Sequence, residues 1–121
     1  MFSHVMVGAN DVQASKKFYD AILAALGHPA GTLDQKGRVI YMNGGGILLL
    51  TTPLNGQPAS GANGGTIGFA AASRAAVDAW HAAGVANGGT SCEDPPGLRP
   101  NGMYLAYLRD PAGNKLCAMH R

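Results

Sequence analysis

The sequence predicts an α+β fold built from two tandem βαβββ modules. A strand–turn–helix unit at residues 4–27 recurs at residues 66–89, a helix-capping residue occupies the same place in both copies, and both helices run into glycine. A repeat that spans half the chain indicates two similar units that pack on each other and form a site between them. We expect module one at about residues 1–55 and module two at about 64–121, within a single domain.

The elements of module one follow from alternation, capping and turn residues. Residues 3–8 alternate and contain β-branched valines, which favours a strand. Asp11 is placed to cap the helix that follows, and Gly27 is placed to end it. Residues 38–42 and 46–52 are predicted to form two strands around a glycine-rich turn.

Module two repeats this pattern after a connector at residues 53–65 that is rich in proline and glycine. Residues 66–71 are predicted to form a strand, and Ser73 to cap a helix that continues to about Ala86. A helix on one face of each small sheet leaves the other face free to curl around a pocket.

The rest of module two is predicted to be strands and turns. A short strand is expected at 90–93, a proline-rich loop at 93–102, and strands at 103–108 and 115–120. The segment Asp110-Pro-Ala-Gly-Asn114 is a turn between the last two, because proline presets the first turn dihedral and glycine accepts a positive φ.

The composition excludes several functional classes. The net charge of +2 comes without a Lys/Arg stripe, so no nucleic-acid partner is expected, and the longest apolar stretch, Gly45–Leu50, is too short to span a membrane. The charged fraction is only 13%, which suits association into a homodimer. With two cysteines and no visible export signal, we expect a reduced, cytoplasmic protein.

Two segments carry a resemblance to a known family. One is His4-Val5-Met6-Val7, followed by Asp11 and then Phe18-Tyr19. The other is the closing run Tyr107-Leu-Arg-Asp-Pro-Ala-Gly-Asn-Lys-Leu116. Across essentially its whole length the chain resembles the vicinal-oxygen-chelate superfamily, which includes glyoxalase I, extradiol dioxygenases and the bleomycin- and fosfomycin-resistance proteins. The resemblance implies an open, curved, barrel-like sheet around a site that usually depends on a metal.

The metal-ligand positions implied by the resemblance are mostly replaced. Four equivalent strand positions, filled by His, Glu or Gln in the family, fall on His4, Leu49, Thr66 and Cys117. Only His4 is a standard ligand, because Leu49 cannot coordinate, Thr66 is a weak neutral donor and Cys117 binds metal only as thiolate. We therefore expect no metal cofactor, and a divalent metal is disfavoured. Metal-dependent isomerase and iron-dependent dioxygenase activities are disfavoured with it.

Strand alternation predicts which side chains share the pocket face with these positions. The pocket is expected to be largely apolar and to take a small organic ligand. Tyr107 lies where fosfomycin-resistance relatives place a substrate-contacting tyrosine, as the resemblance implies. The candidate ligand-binding residues are Met6, Leu49, Thr66, Tyr107, Cys117 and Met119, with Tyr41 and Arg38 as further candidates, and Lys115 shares the side of Cys117.

Each candidate also has a structural explanation. His4 is either an acid/base or a hydrogen-bonded strand residue, and Tyr107 is either a ligand contact or a filler of the barrel. Cys117 is expected to be a packed thiol rather than a nucleophile. Arg99 would suit an anionic substrate if its loop covers the pocket mouth, but a stiff polar loop is slightly favoured.

Two functions of different class follow. One is a glyoxalase-like enzyme in which His4 acts as acid/base or partial metal ligand, with lactoylglutathione lyase-like or dioxygenase-like chemistry as its metal-dependent form. The other is a metal-free protein that binds a small hydrophobic or aromatic compound. The missing ligands favour binding, or non-standard lyase- or isomerase-type chemistry. Whether one chain or a dimer completes the pocket is left open by the sequence.

Overall fold

The computed structural model describes residues 1–121 and contains two similar units, a βαβββ unit and a second unit with one additional short strand. Both the α+β class and the tandem repeat are confirmed. Module one consists of β1 (His4–Gly8), α1 (Val12–Ala25), β2 (Thr32–Leu33), β3 (Val39–Met42) and β4 (Ile47–Thr51). Module two consists of β5 (Ile67–Ala70), α2 (Arg74–Ala86), β6 (Thr90–Ser91), β7 (Gly97–Leu98), β8 (Tyr104–Arg109) and β9 (Lys115–His120).

The two modules build two separate sheets with the same strand order. The first sheet runs β1-β4-β3-β2, and the second runs β5-β9-β8-β6 with β7 also paired to β8. In each sheet the first strand is parallel to the last, and the other pairs are antiparallel. No strand of one sheet pairs with a strand of the other, and neither sheet closes into a barrel. Neither helix is long and apolar enough to cross a membrane.

The predicted helix boundaries are confirmed by their caps. The Asp11 side chain accepts a hydrogen bond from the Ala14 backbone N–H at 3.0 Å, and the Ser73 hydroxyl accepts one from the Ala76 N–H at 3.0 Å. Each bond satisfies a backbone donor that the first helical turn leaves without a partner. Gly27, just beyond α1, has φ +88°, a conformation that favours glycine.

Two short strands were not predicted. β2 pairs with β3, and β7 pairs with β8 inside the segment expected to be a proline-rich loop. A strand of two residues has no alternation to detect, and its pairing depends on a neighbour distant in sequence. Several predicted strands are also shorter than expected by one or two residues: residues 66 and 71 lie outside β5, residues 92 and 93 outside β6, and residues 46 and 52 outside β4.

The two helices pack against each other and against one face of each sheet. Phe18 of α1 packs against module two: a Cβ on Gly84 would lie 3.2 Å from the Phe18 ring, and one on Gly89 would collide with it. One face of each sheet joins the same hydrophobic core as the helices, through Val39, Leu48 and Leu50 in the first sheet and Ala106, Leu108, Leu116 and Ala118 in the second. The opposite face of each sheet is therefore turned away from this shared core.

Candidate functional site

The faces turned away from the helices carry most of the predicted site residues. Burial alternates along β1, β3 and β4: in β1, Val7 is buried while Met6 is 42% exposed. We call the free face of the first sheet outer face one, formed by His4, Met6, Ile40, Met42, Ile47, Leu49 and Thr51. We call the free face of the second sheet outer face two, formed by Thr66, Gly68, Leu105, Tyr107, Lys115, Cys117 and Met119.

The strand register shows that the four positions implied by the family resemblance occupy equivalent places in the two sheets. Met6 lies opposite Leu49 in the first sheet, as Gly68 lies opposite Cys117 in the second. His4 and Leu49 are thus on outer face one, whereas Thr66 and Cys117 are on outer face two. Within one chain the four positions do not come together.

The residues at these positions do not fit a divalent metal. Leu49 offers no donor atom, and burial raises the pKa of the Cys117 thiol, so the thiolate that a metal requires is disfavoured at neutral pH. No three side chains among His, Cys, Asp and Glu converge anywhere in the chain. The donor set therefore lacks the three protein ligands that catalytic zinc sites normally have.

His4 is the polar group of outer face one. Its side chain is exposed at the start of β1, and its Nδ1 lies 2.8 Å from the Ser3 hydroxyl. The Nε2 atom makes no hydrogen bond within the chain. A ring held through one nitrogen with the other one free can donate or accept a proton at a bound molecule.

Outer face two carries a cluster of interacting polar side chains. The Lys115 ammonium lies 2.8 Å from the Glu93 carboxylate and 5.1 Å from the centroid of the Tyr107 ring. Tyr107 is directly opposite Cys117, which is 8% exposed. Burial raises the pKa of Tyr107, and the hydrogen bond to Glu93 raises the pKa of Lys115. At neutral pH the face thus presents a phenol, a thiol and an ammonium ion.

Glu93 was not among the residues predicted from the sequence. It lies between β6 and β7 in the left-handed conformation, with φ 55°, which is uncommon for a residue other than glycine. This backbone geometry accompanies its ion pair with Lys115. A single glutamate at the start of a proline-rich segment gives no signal of such a contact, because the contact depends on how β6 and β7 pair with β8.

Arg99 holds the same segment in place. Its guanidinium donates hydrogen bonds to three backbone carbonyls, of Asp94 at 3.2 Å, Pro95 at 3.0 Å and Gly97 at 3.1 Å. It therefore acts as a brace for residues 94–97, in agreement with the stiff loop favoured by the sequence. No carboxylate neutralises its charge.

Tyr41 and Arg38 do not join the predicted face. Tyr41 is opposite Leu48, which faces the helices, so its ring is buried and its hydroxyl donates to Asp20 Oδ1 at 2.8 Å. Arg38 precedes β3 and pairs with Asp34 at 2.6 Å. Their grouping with His4 is therefore corrected: β3 alternation places Ile40 and Met42 on outer face one instead.

Tyr41 instead lines a cavity of about 260 Å³ between the modules. Its walls come from β1, β4, β5 and the end of α1, and are mostly apolar. At its rim, Asn43 Nδ2 lies 2.7 Å from His28 Nδ1. The cavity is smaller than the ~300–1,000 Å³ of typical ligand pockets and is lined by only one of the predicted site residues.

The chain was compared with protein families, curated proteins and solved structures. The model of the Glyoxalase/Bleomycin resistance protein/Dioxygenase superfamily matches residues 1–118. None of the curated proteins matches. A glyoxalase/bleomycin resistance protein from Albidiferax ferrireducens T118 is 60% identical, with a TM-score of 0.95, and the match covers 100% of this chain and 98% of that one.

Two further solved structures are more distant. A lactoylglutathione lyase from Agrobacterium tumefaciens is 30% identical with a TM-score of 0.68, and the match covers 98% of this chain and 92% of that one. A glyoxalase-related enzyme from Fulvimarina pelagi shares the fold, at 20% identity and a TM-score of 0.81 over 100% of this chain and 88% of that one. Fold, repeat and family match agree, and the chain belongs to the glyoxalase/bleomycin resistance protein/dioxygenase superfamily.

Proposed function

We propose that the protein binds a small organic molecule in a pocket completed by two copies of the chain. Outer face one of one copy lies against outer face two of the other. The observation behind this proposal is that, within one chain, His4 and Leu49 lie on one outer face and Thr66 and Cys117 on the other, and both faces are turned away from the core that the helices share. A second copy supplies the missing half of the pocket.

The open edges of the sheets favour such a pairing. β1 and β5 each pair on one side only, so each leaves a row of backbone donors and acceptors without partners. A two-fold axis that places β1 of one copy beside β5 of the other would join both edges at once and create two equivalent pockets. Met6 and Met42, exposed by 42% and 60% on outer face one, would be covered in this dimer.

These side chains best support the binding of a small organic molecule without a metal and without the metal-dependent reactions of the family. Outer face one is apolar apart from His4 and Thr51, which suits an apolar ligand held by a few polar groups. An enzyme that uses His4 as acid/base is the second candidate. It is favoured by the unpaired Nε2 of that ring and by the 30% identity to a lactoylglutathione lyase.

Subunit complementation tests the proposal. Ligands are first found by thermal shift, since a compound that binds only the folded state raises the melting temperature. Met6→Lys on outer face one and Thr66→Lys on outer face two should each abolish the shift. Mixing the two inactive variants and allowing exchange should restore about a quarter of the pockets, because half the dimers are mixed and each of these has one unaltered pocket.

Leu54→Lys, in the connector, is the matched control and should keep full binding, because Leu54 is fully exposed and lies on neither face. The shared pocket would be refuted if only one of the two face variants lost the thermal shift, or if mixing the two variants restored none of it. Titration with Zn²⁺ and Ni²⁺ tests the second candidate function, an enzyme that uses His4. Stoichiometric metal binding that His4→Ala abolishes would favour a metal enzyme over the binding protein.

A further inference from the structure

We infer that Lys115, held against the Tyr107 ring, binds the anionic group of a small carboxylate ligand, whose apolar body lies on outer face one of the second copy. This inference rests on the proposed function and specifies the class of ligand. It follows from the unequal chemistry of the two faces: one is apolar apart from His4 and Thr51, and the other carries an excess of cations beside an aromatic ring.

The charge on outer face two is positive. Arg109 lies directly opposite Lys115 in the β8–β9 register, and its guanidinium donates to the Gly113 carbonyl at 2.9 Å. The Arg99 guanidinium lies close enough to oppose, in part, the rise that burial causes in the pKa of Cys117. Glu93 is the one carboxylate in an ion pair with any of these cations. Three cations lie on or beside this face and a single carboxylate is paired with any of them, which favours an anionic ligand.

Lys115 is positioned in advance of binding. Its side chain is 21% exposed and is held between the Glu93 carboxylate and the Tyr107 ring. An ammonium group has three donors, of which Glu93 takes one and the ring faces another. A ligand carboxylate can therefore accept a charge-assisted hydrogen bond from the same nitrogen without a large loss of side-chain freedom.

Glu93 identifies where the anionic group would bind and competes with it. Its side chain is 47% exposed, and its backbone has φ 55°. A ligand carboxylate that reaches Lys115 from solvent contacts the ammonium that already pairs with Glu93, so the ligand and Glu93 compete for one cation. Removal of the charge at Glu93 should therefore strengthen the binding of a ligand carboxylate, although it removes an ion pair from the protein.

Outer face one would hold the rest of the ligand. Met6, Ile40, Met42 and Leu49 form an apolar surface there. Methionine side chains adapt to ligands of irregular shape and pack well against aromatic rings. Its polar groups are the imidazole of His4 and the hydroxyl of Thr51. A ligand with a flat apolar part and one acidic substituent would match an apolar face on one copy and a cationic face on the other.

Phenylacetate and phenylacetamide are matched probes, since they differ mainly in charge. Calorimetric titration of the wild-type protein should show phenylacetate binding about tenfold more tightly, the effect of one charge-assisted hydrogen bond. Lys115→Gln should remove this preference, and Glu93→Gln should raise phenylacetate affinity by about threefold. Lys17→Gln, at an exposed lysine on α1, is the control and should keep the wild-type preference.

The outcomes separate this inference from the proposed function. Equal binding of both probes, still blocked by Met6→Lys, would overturn the carboxylate preference and leave the shared pocket standing. Carboxylate preference that persists in Lys115→Gln would also overturn the inference. Binding of either probe that Met6→Lys and Thr66→Lys do not affect would refute the shared pocket itself. If neither probe binds, the inferred class of ligand is wrong. The proposed function is then decided separately, by the search for ligands with thermal shift.

Discussion

The Tyr19 hydroxyl in α1 donates a hydrogen bond to Asp110 Oδ2 at 2.6 Å and so joins residues from different modules. Asp110 also accepts from the backbone N–H groups of Ala112 and Asn114 and from the Asn114 side chain. The same Asn114 amide donates to the Gly8 carbonyl at the end of β1. The Asp-Pro-Ala-Gly-Asn turn is therefore more than a connection between β8 and β9, because it holds module two against β1 and α1.

Replacement of Tyr19 by phenylalanine should destabilise the fold strongly. The variant leaves Asp110 buried with one bond fewer, and loss of a hydrogen bond to a charged acceptor costs about 1.5–3 kcal/mol. Urea unfolding of the wild type and Tyr19→Phe measures the difference. The control is Tyr104→Phe, which removes an exposed hydroxyl bonded to Asp78 and should cost clearly less. Equal losses in both variants would contradict the bridging role of Tyr19.

Gly84 allows the two helices and β8 to approach one another. A Cβ at this position would collide with Leu108 and lie 3.2 Å from both Ile22 and Phe18. Gly84→Ala should therefore destabilise by about 1–2 kcal/mol, because overpacking outweighs the gain of up to ~1 kcal/mol in helix propensity. Gly45→Ala, where no atom lies within 4 Å, should stay within about 0.5 kcal/mol of the wild type. A more stable Gly84→Ala variant would refute this packing.

The sequence was sufficient for the features that depend on local chemistry. Capping by Asp11 and Ser73, the end of α1 at Gly27 and the turn after Asp110 all follow from residue type and spacing. The placement of Tyr41 and the contact of Glu93 with Lys115 did not follow, because they depend on register between strands and on two-residue strands. The packing of the two helices against each other also had no sequence signal, because it depends on contacts between Phe18 and glycines of the other module.

Asp20 should stabilise the fold at neutral pH and lose this effect in acid. Partial burial alone would raise the pKa of its carboxylate, but hydrogen bonds from Lys16, the Gly31 N–H and the Tyr41 hydroxyl outweigh this and lower the pKa below 3.8. A lowered folded-state pKa gives stability that is present above the unfolded-state value and is lost as pH falls through the folded one. The contribution should therefore decline as the pH falls below about 4 and disappear once the pH is below the lowered folded-state pKa.

Asp20→Asn tests this acid dependence. The variant should be less stable than the wild type at pH 7, and the difference should shrink as pH falls from about 5 to 2. Urea midpoints across this range provide the measurement. Asp94→Asn, at an exposed carboxylate without a side-chain hydrogen bond, is the matched control and should follow the wild-type curve. A constant offset between Asp20→Asn and the wild type would show that the carboxylate is not the cause.

The two cysteines should differ in reactivity because they differ in burial. Cys117 is 8% exposed and burial raises the pKa of its thiol, whereas Cys92 is half-buried. The thiolate is the reactive form, so iodoacetamide at pH 7.5 should alkylate Cys92 first and reach Cys117 at a comparable rate only in the unfolded protein. Mass spectrometry of peptides over time measures both rates, with Cys92→Ser as the control that isolates Cys117. Rapid alkylation of Cys117 in the folded variant would show that outer face two holds an activated thiol and would make it a candidate nucleophile.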